Sequence, residues 1–199
     1  MASEAPSIHI TAEPQTLPHN CLYRVDRNLY VGTIYVSDPE VAKEAVPLAA
    51  AIMDAVEGVR GVRISQSEIL VTMNTEPSDW RTVARETGAT IRAFLQDGHR
   101  PVAEGAAEKL TGNDEIRLRV QKVIDEQLNP NLASHGGWVE IQASDGVDYY
   151  MTMGGGCQGC GSAAATMRQG IEASIRNEVP EAGAIHDATD HAAGLNPYM

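Results

Sequence analysis

The stretch Gly154-Gly155-Gly156-Cys157-Gln158-Gly159-Cys160-Gly161 stands between two patterned segments. Before it, Val147 to Met153 alternates with period two; after it, Met167, Ile171, Ile175 and Val179 recur every fourth residue. The cysteine pair is therefore expected in a turn that joins a strand to the first turn of a helix. Unpaired N–H groups and the positive end of the helix dipole favour thiolate there. Five glycines in eight positions let the backbone come close to a bulky inorganic group and aim N–H groups at it. Such thiolates are natural ligands for soft metals.

Working outward, Trp138 to Ala143 pairs with Val147 to Met153 through Ser144-Asp145-Gly146, a hairpin signal. A helix precedes it, capped near Asn113, with Ile116, Val120, Val123, Ile124 and Leu128 on one face, and Asn129-Pro130 is expected to end it. Pro180 stops the last helix, and Ala184 to Ala188 can add one short strand. An antiparallel hairpin thus precedes the cysteines. A thioredoxin-type dithiol would instead follow a parallel βαβ pattern.

The spacing C-x-x-C alone is compatible with zinc binding, with dithiol chemistry, or with neither. A ligand count narrows the metal readings. A tetrahedral zinc or a cubane cluster usually takes four thiolates, and the chain has three cysteines, Cys21, Cys157 and Cys160. Two copies of the Cys157 and Cys160 pair supply four, which predicts a symmetric homodimer with the metal on or near its twofold axis. Loading and assembly are then linked.

Many positions beyond the cysteines carry a resemblance. Leu128-Asn129-Pro130-Asn131-Leu132, His135-Gly136-Gly137, Gly154 to Cys160, Thr166, Gly170-Ile171-Glu172 and Pro180 are similar to the NifU C-terminal domain, and the ending Asp187 to Tyr198 resembles the bacterial Nfu proteins. The resemblance implies an iron-sulfur scaffold or carrier. Such a protein holds one 4Fe-4S cluster per dimer, receives it from upstream cluster assembly proteins and hands it to apo iron-sulfur client proteins. Carried over by residue, Cys157 and Cys160 are the cluster ligands. The expected role is carriage, not enzymatic turnover. The two rivals are a dithiol-disulfide oxidoreductase, with Cys157 attacking and Cys160 resolving, and a zinc-bridged structural dimer.

The first half has its own pattern. Ile8 to Ile10, Leu22 to Val25 and Thr33 to Val36 read as strands, and Asp38-Pro39 opens a helix toward Glu57 that Pro47 should kink or break. Val59 to Ile64 and Ile69 to Met73 form a strand pair, followed by a helix capped near Ser78. Pro18-His19-Asn20, Val59 to Met73, Asp79-Trp80 and Phe94 to Gly98 resemble the Nfu N-terminal domain, which points to partner contact. Between the halves, His99 to Asn113 lacks a hydrophobic period and reads as an exposed connector. The expected architecture is α+β, with two small mixed domains at 1–98 and 114–199 joined by the linker 99–113. The second is a helix, an antiparallel hairpin, the C-x-x-C loop, a helix and a short strand.

Composition excludes several classes. With 199 residues and a net charge of −12, the chain would repel nucleic acid and anionic membranes. Its longest apolar run, Ala45 to Met53, is nine residues and contains Pro47, short of the roughly 20 needed to span a bilayer. The N-terminus lacks a basic start and an apolar stretch, so a cytoplasmic location is expected. No paired carboxylates suggest an acid and base couple. Cys21 reads as a packing residue in a strand. His135 reads as part of a turn, the alternatives being hydrogen-bond donation beside a bound metal or direct ligation of it. His186 and His191 read as a solvated tail, Trp80 and Trp138 as core residues, and Met151 and Met153 as alternating strand residues.

Overall fold

The computed structural model describes residues 7–155 and 161–189, with side chains in 161–167 left aside. The chain divides into two compact units, Met1–Asp114 and Glu115–Met199. Both combine helices with a sheet, antiparallel throughout in the first unit and mixed in the second, an α+β architecture.

The first unit contains β1 (Ile10–Pro14), β2 (Asn20–Val25), β3 (Tyr30–Val36), α1 (Pro39–Ala45), α2 (Pro47–Ala55), β4 (Val59–Gln66), β5 (Glu68–Met73), α3 (Trp80–Gln96) and α4 (Ala106–Lys109). Its sheet runs β1-β2-β5-β4-β3, every neighbouring pair antiparallel. Pro47 does break the helix begun at Asp38-Pro39: α1 stops before Val46, and Pro47 starts α2, where its missing N–H costs nothing. Asp38 caps α1 by accepting the Glu40 and Val41 N–H groups. The α3 cap is Asp79, one residue past the expected Ser78, and it accepts the Arg81 N–H at 2.9 Å. The first strand lies at Ile10–Pro14 instead of Ile8 to Ile10, because its edge position on β2 comes from pairing and leaves most of its side chains in water.

The segment 99–113 differs from the expected exposed connector. Val102, Ala106 and Leu110, spaced four residues apart in sequence, are buried. Backbone bonds run from Leu48 N–H to Pro101 O and from Ala103 N–H to Ala45 O, and Lys109 Nζ donates to Glu44 O. This segment is therefore part of the first unit's packing. At its end Asp114 is buried and accepts both the backbone N–H and the hydroxyl of Ser37, at 2.9 and 2.7 Å.

The second unit is entered through α5 (Gly112–Val123) and continues with a π-helical turn (Ile124–Leu128), α6 (Asn129–Ala133), β6 (Gly137–Asp145), β7 (Asp148–Gly155), α7 (Gly161–Glu178) and β8 (Ile185–Asp187). Asn129-Pro130 does not end the helix. The π turn shifts the hydrogen-bond register, so the Asn129 N–H reaches Ile124 O, and Pro130 falls in the first turn of α6, where no N–H is required. β6 and β7 form the expected hairpin, closed by Gly146 and Val147, with Gly146 at φ 58°. β8 adds in parallel to β7. Inward residues Val139, Ile141, Tyr149, Met151 and Met153 form one core with Ile124 and Leu128 of the π turn and Ile171 and Ile175 of α7.

Candidate metal centre

Cys157 and Cys160 lie outside the described residues, and the structure defines what stands on either side of them. β7 delivers the chain at Gly155, and α7 takes it up at Gly161. The strand expected before the segment and the helix expected after it are both present. α7 is 18 residues long, so its first turn offers free N–H groups and the positive dipole end to whatever precedes it.

The strand end is fixed by close approaches that only glycine allows. A Cβ on Gly155 would stand 1.8 Å from the Gly136 carbonyl oxygen, and Gly155 has φ 64°. A Cβ on Gly154 would stand 2.2 Å from Cε2 and Cζ2 of Trp138, its cross-strand partner. Both glycines are thus required by packing within the hairpin itself. Next to them, the Met153 N–H donates to Thr189 Oγ1 at 2.9 Å, and the Ala188 N–H donates to Met151 O. On the far side of the hairpin, the Asn129 side chain takes the place of a neighbouring strand. Its Oδ1 accepts the Val139 N–H at 2.8 Å and its Nδ2 donates to Val139 O at 3.1 Å.

The remaining sequence candidates sort by burial. Cys21 is wholly buried in β2, and burial pushes its thiol up from the usual cysteine value, away from the thiolate a metal needs. It is a packing residue. Among the described residues no group of three or more His, Cys, Asp or Glu side chains could hold a metal. His135 is exposed in the turn after α6, its N–H donating to Leu132 O, which is the turn role expected of it. His186 departs from the expected solvated tail: it lies in β8 and its ring stacks on Tyr150, centroids 4.7 Å apart. His191 lies outside the described residues. Met151 and Met153 point inward as alternation implies.

Trp138 corrects the core reading. It is 44% exposed, on the face of β6 shared with Glu140 and Gln142, opposite the inward Val139 and Ile141. The signal was in its parity: Trp138, Glu140 and Gln142 occupy alternate positions, and the face that carries Glu and Gln is the wet one. Trp80, half-buried, donates its indole N–H to Pro18 O at 3.1 Å. Asn129 and Thr189 were missed as structural side chains. Asn129 was legible only as a turn residue, and Thr189 gave no signal.

Residues 120–186 match the model of the NifU-like domain family. Among known proteins the chain is similar to the Fe/S biogenesis protein NfuA of Xanthomonas euvesicatoria pv. vesicatoria, 49% identical over 122 residues that cover 59% of this chain and 56% of the relative. The protein of the same name from Stenotrophomonas maltophilia strain K279a is 48% identical over 83 residues, 41% of each. The chain thus spans about half the length of the curated relatives it matches. A solution structure of a NifU-like protein from Saccharomyces cerevisiae aligns with 52% of this chain and 91% of its own, at 16% identity and a TM-score of 0.45. No helix among the described residues is long and apolar enough to cross a membrane.

Proposed function

We propose that this protein is an iron-sulfur cluster carrier. Two copies hold one 4Fe-4S cluster through Cys157 and Cys160 of each, and pass it to apo-proteins. The observation that carries this reading is the shortage of sulfur: Cys21 is sealed inside its own sheet, so one copy offers two thiolates where a cubane takes four. The helix start at Gly161 and the similarity to proteins named for Fe/S biogenesis support the same reading. The role is carriage and involves no turnover of a small substrate. The first unit, with its resemblance to the Nfu N-terminal domain, serves partner contact.

Transfer is ligand exchange. Each iron–sulfur bond to Cys157 or Cys160 that breaks is replaced by one to a client cysteine. The client thiol loses its proton as it binds, the departing thiolate can take one up, and no electrons change hands. Anaerobic reconstitution with iron and sulfide tests the proposal, read by iron and sulfide counts, Mössbauer spectroscopy and sizing with and without metal. The expected result is four irons per two chains, lost in Cys157→Ser and in Cys160→Ser. A colourless, zinc-replete dimer that retains its metal, or turnover of a disulfide substrate by metal-free protein, would overturn it.

A further inference from the structure

Helix α3 has the opposite charge balance to the rest of the molecule. In a chain of net charge −12 it holds three arginines, Arg81, Arg85 and Arg92, against one acidic residue, Glu86. At about 100° per residue the three arginines fall within about 40° of one another around the helix, with Glu86 about 120° from the middle of that stripe. All three are exposed, and among the described residues none of them joins a carboxylate in an ion pair. Arg92 Nε reaches only Ile8 O, at 3.4 Å, and the nearby Asp79 carboxylate is taken up by the Arg81 N–H and the Thr82 hydroxyl. Two features have no reason inside the chain. Arg81 stands in the first helical turn, which contains no acidic residue, although the helix dipole disfavours a cation there. Gly88 lies in the helix interior, where glycine is weakening, yet a Cβ on it would meet nothing within 4 Å.

We propose that this arginine stripe is a docking surface for an acidic, amphipathic helix of a partner protein. Carboxylates at i, i+4 and i+11 on such a helix match Arg81, Arg85 and Arg92 over a span of about 16 Å, and the bare stretch at Gly88 and Ala89 lets the two backbones approach closely. The surface beside the stripe is apolar. α3 runs along the edge strand β1, since the Trp80 indole reaches Pro18 O past one end of that strand and Arg92 reaches Ile8 O before the other. Ala12 and Pro14 of β1 pair with Tyr23 and Cys21 and so share the face of Tyr23, whose hydroxyl lies by Thr87 of α3; both are exposed. An extended polyanion is the poorer fit, because the charge of the remaining chain repels it. The inference deepens the partner-contact reading of the first unit and rests on it, while the cysteines play no part.

The full chain is titrated into a fluorescein-labelled helical peptide with glutamates at the three matching positions, and into its glutamine counterpart, and binding is read by anisotropy at low and high salt. The glutamate peptide should bind the parent about 10-fold tighter than the glutamine one, an advantage that shrinks as salt screens it. Arg81→Gln and Arg85→Gln should each weaken binding about two- to fivefold, the range of an exposed ion pair, and Gly88→Leu should weaken it with every arginine in place. Arg119→Gln, which removes a guanidinium already held by Glu181, should bind as the parent does. Equal binding of the two peptides by the parent, or parental affinity in the Arg81→Gln, Arg85→Gln double variant, overturns the docking surface. So does tighter arginine-dependent binding of single-stranded DNA or of anionic vesicles, or arginine-dependent self-association in sedimentation, because each names a different occupant. A parent that loads iron and sulfide but does not distinguish the peptides loses the surface and keeps the carrier reading; one that does the reverse keeps the surface and loses the carrier reading.

Discussion

Gly155→Ala is the sharpest test of how the strand end is built. The new Cβ would lie 1.8 Å from the Gly136 oxygen, 2.9 Å from its carbonyl carbon and 3.3 Å from the Gly137 Cα, all backbone atoms that no rotamer change can move aside. A left-handed φ on alanine costs roughly 1–2 kcal/mol, and forcing an extra carbon into a filled space roughly 1–3 kcal/mol. The sum, about 2–5 kcal/mol, falls on the second unit, where Gly137 pairs with Gly155 at the open end of the hairpin. Gly170→Ala is the matched control. A Cβ there meets nothing within 4 Å on the exposed side of α7, so it should stabilise the helix by about 0.5–1 kcal/mol. Urea titration in a Trp80→Phe background leaves Trp138 as the fluorophore, so the second unit is read separately from the first. If Gly155→Ala unfolds at the same midpoint as its parent, or Gly170→Ala is the more damaging of the two, the described strand end is wrong.

Three other perturbations follow from the same geometry. Asn129→Ala leaves the Val139 N–H and C=O without the side-chain partners they have now and should cost about 1–3 kcal/mol, with Asn129→Asp, which keeps the acceptor, less damaging by the same titration. The Cys21 thiol is raised by burial, so the folded state favours its protonated form: that contribution is complete below the usual cysteine range and declines as pH rises past about 8.5. Cys21→Ala should therefore flatten the alkaline limb of stability against pH, and an unchanged limb would refute the burial argument. Hydrogen bonds from the Thr82 hydroxyl first and the Arg81 N–H second hold the Asp79 carboxyl below its usual range, so its capping of α3 is present at neutral pH and lost as pH falls through and below about 4. Asp79→Ala should lower the Tm at pH 7 and make little difference at pH 2.5, as followed by circular dichroism.

Where a local rule acts alone, the sequence was legible. Pro47 breaks a helix whatever surrounds it, the two runs from Val59 to Met73 pair through a short turn, and a strand ends at Gly155 and a helix begins at Gly161 on either side of the two cysteines. The failures occur where a neighbour decides. Asn129-Pro130 looks like a stop, but a π turn changes the register so that proline meets no bond it would break. Val102, Ala106 and Leu110 are spaced for one helical face, yet the polar and small residues between them hide that only these three need covering. Trp138 was placed inside on hydrophobicity, while its parity with Glu140 and Gln142 placed it outside. His186 lies in the short strand expected at Ala184 to Ala188, and what the sequence hid is its cross-strand partner, Tyr150, on whose ring it stacks.

The proposed carrier role also bears on how firmly cargo could be held. If each copy contributes half of the ligands, a cluster cannot stay fully ligated once the copies part, so retention must depend on protein concentration. Loaded protein diluted through the dissociation range of the dimer should release iron with a midpoint that shifts as total protein changes, whereas a site complete within one chain would release it at a midpoint independent of protein. Cys21 cannot soften that dependence, because it is buried in the β2 strand with a thiol held away from ionisation. A carrier built this way needs no lid for delivery: a client that brings two thiols competes with the partner copy for the same coordination positions, and association strength alone sets the balance between holding and giving.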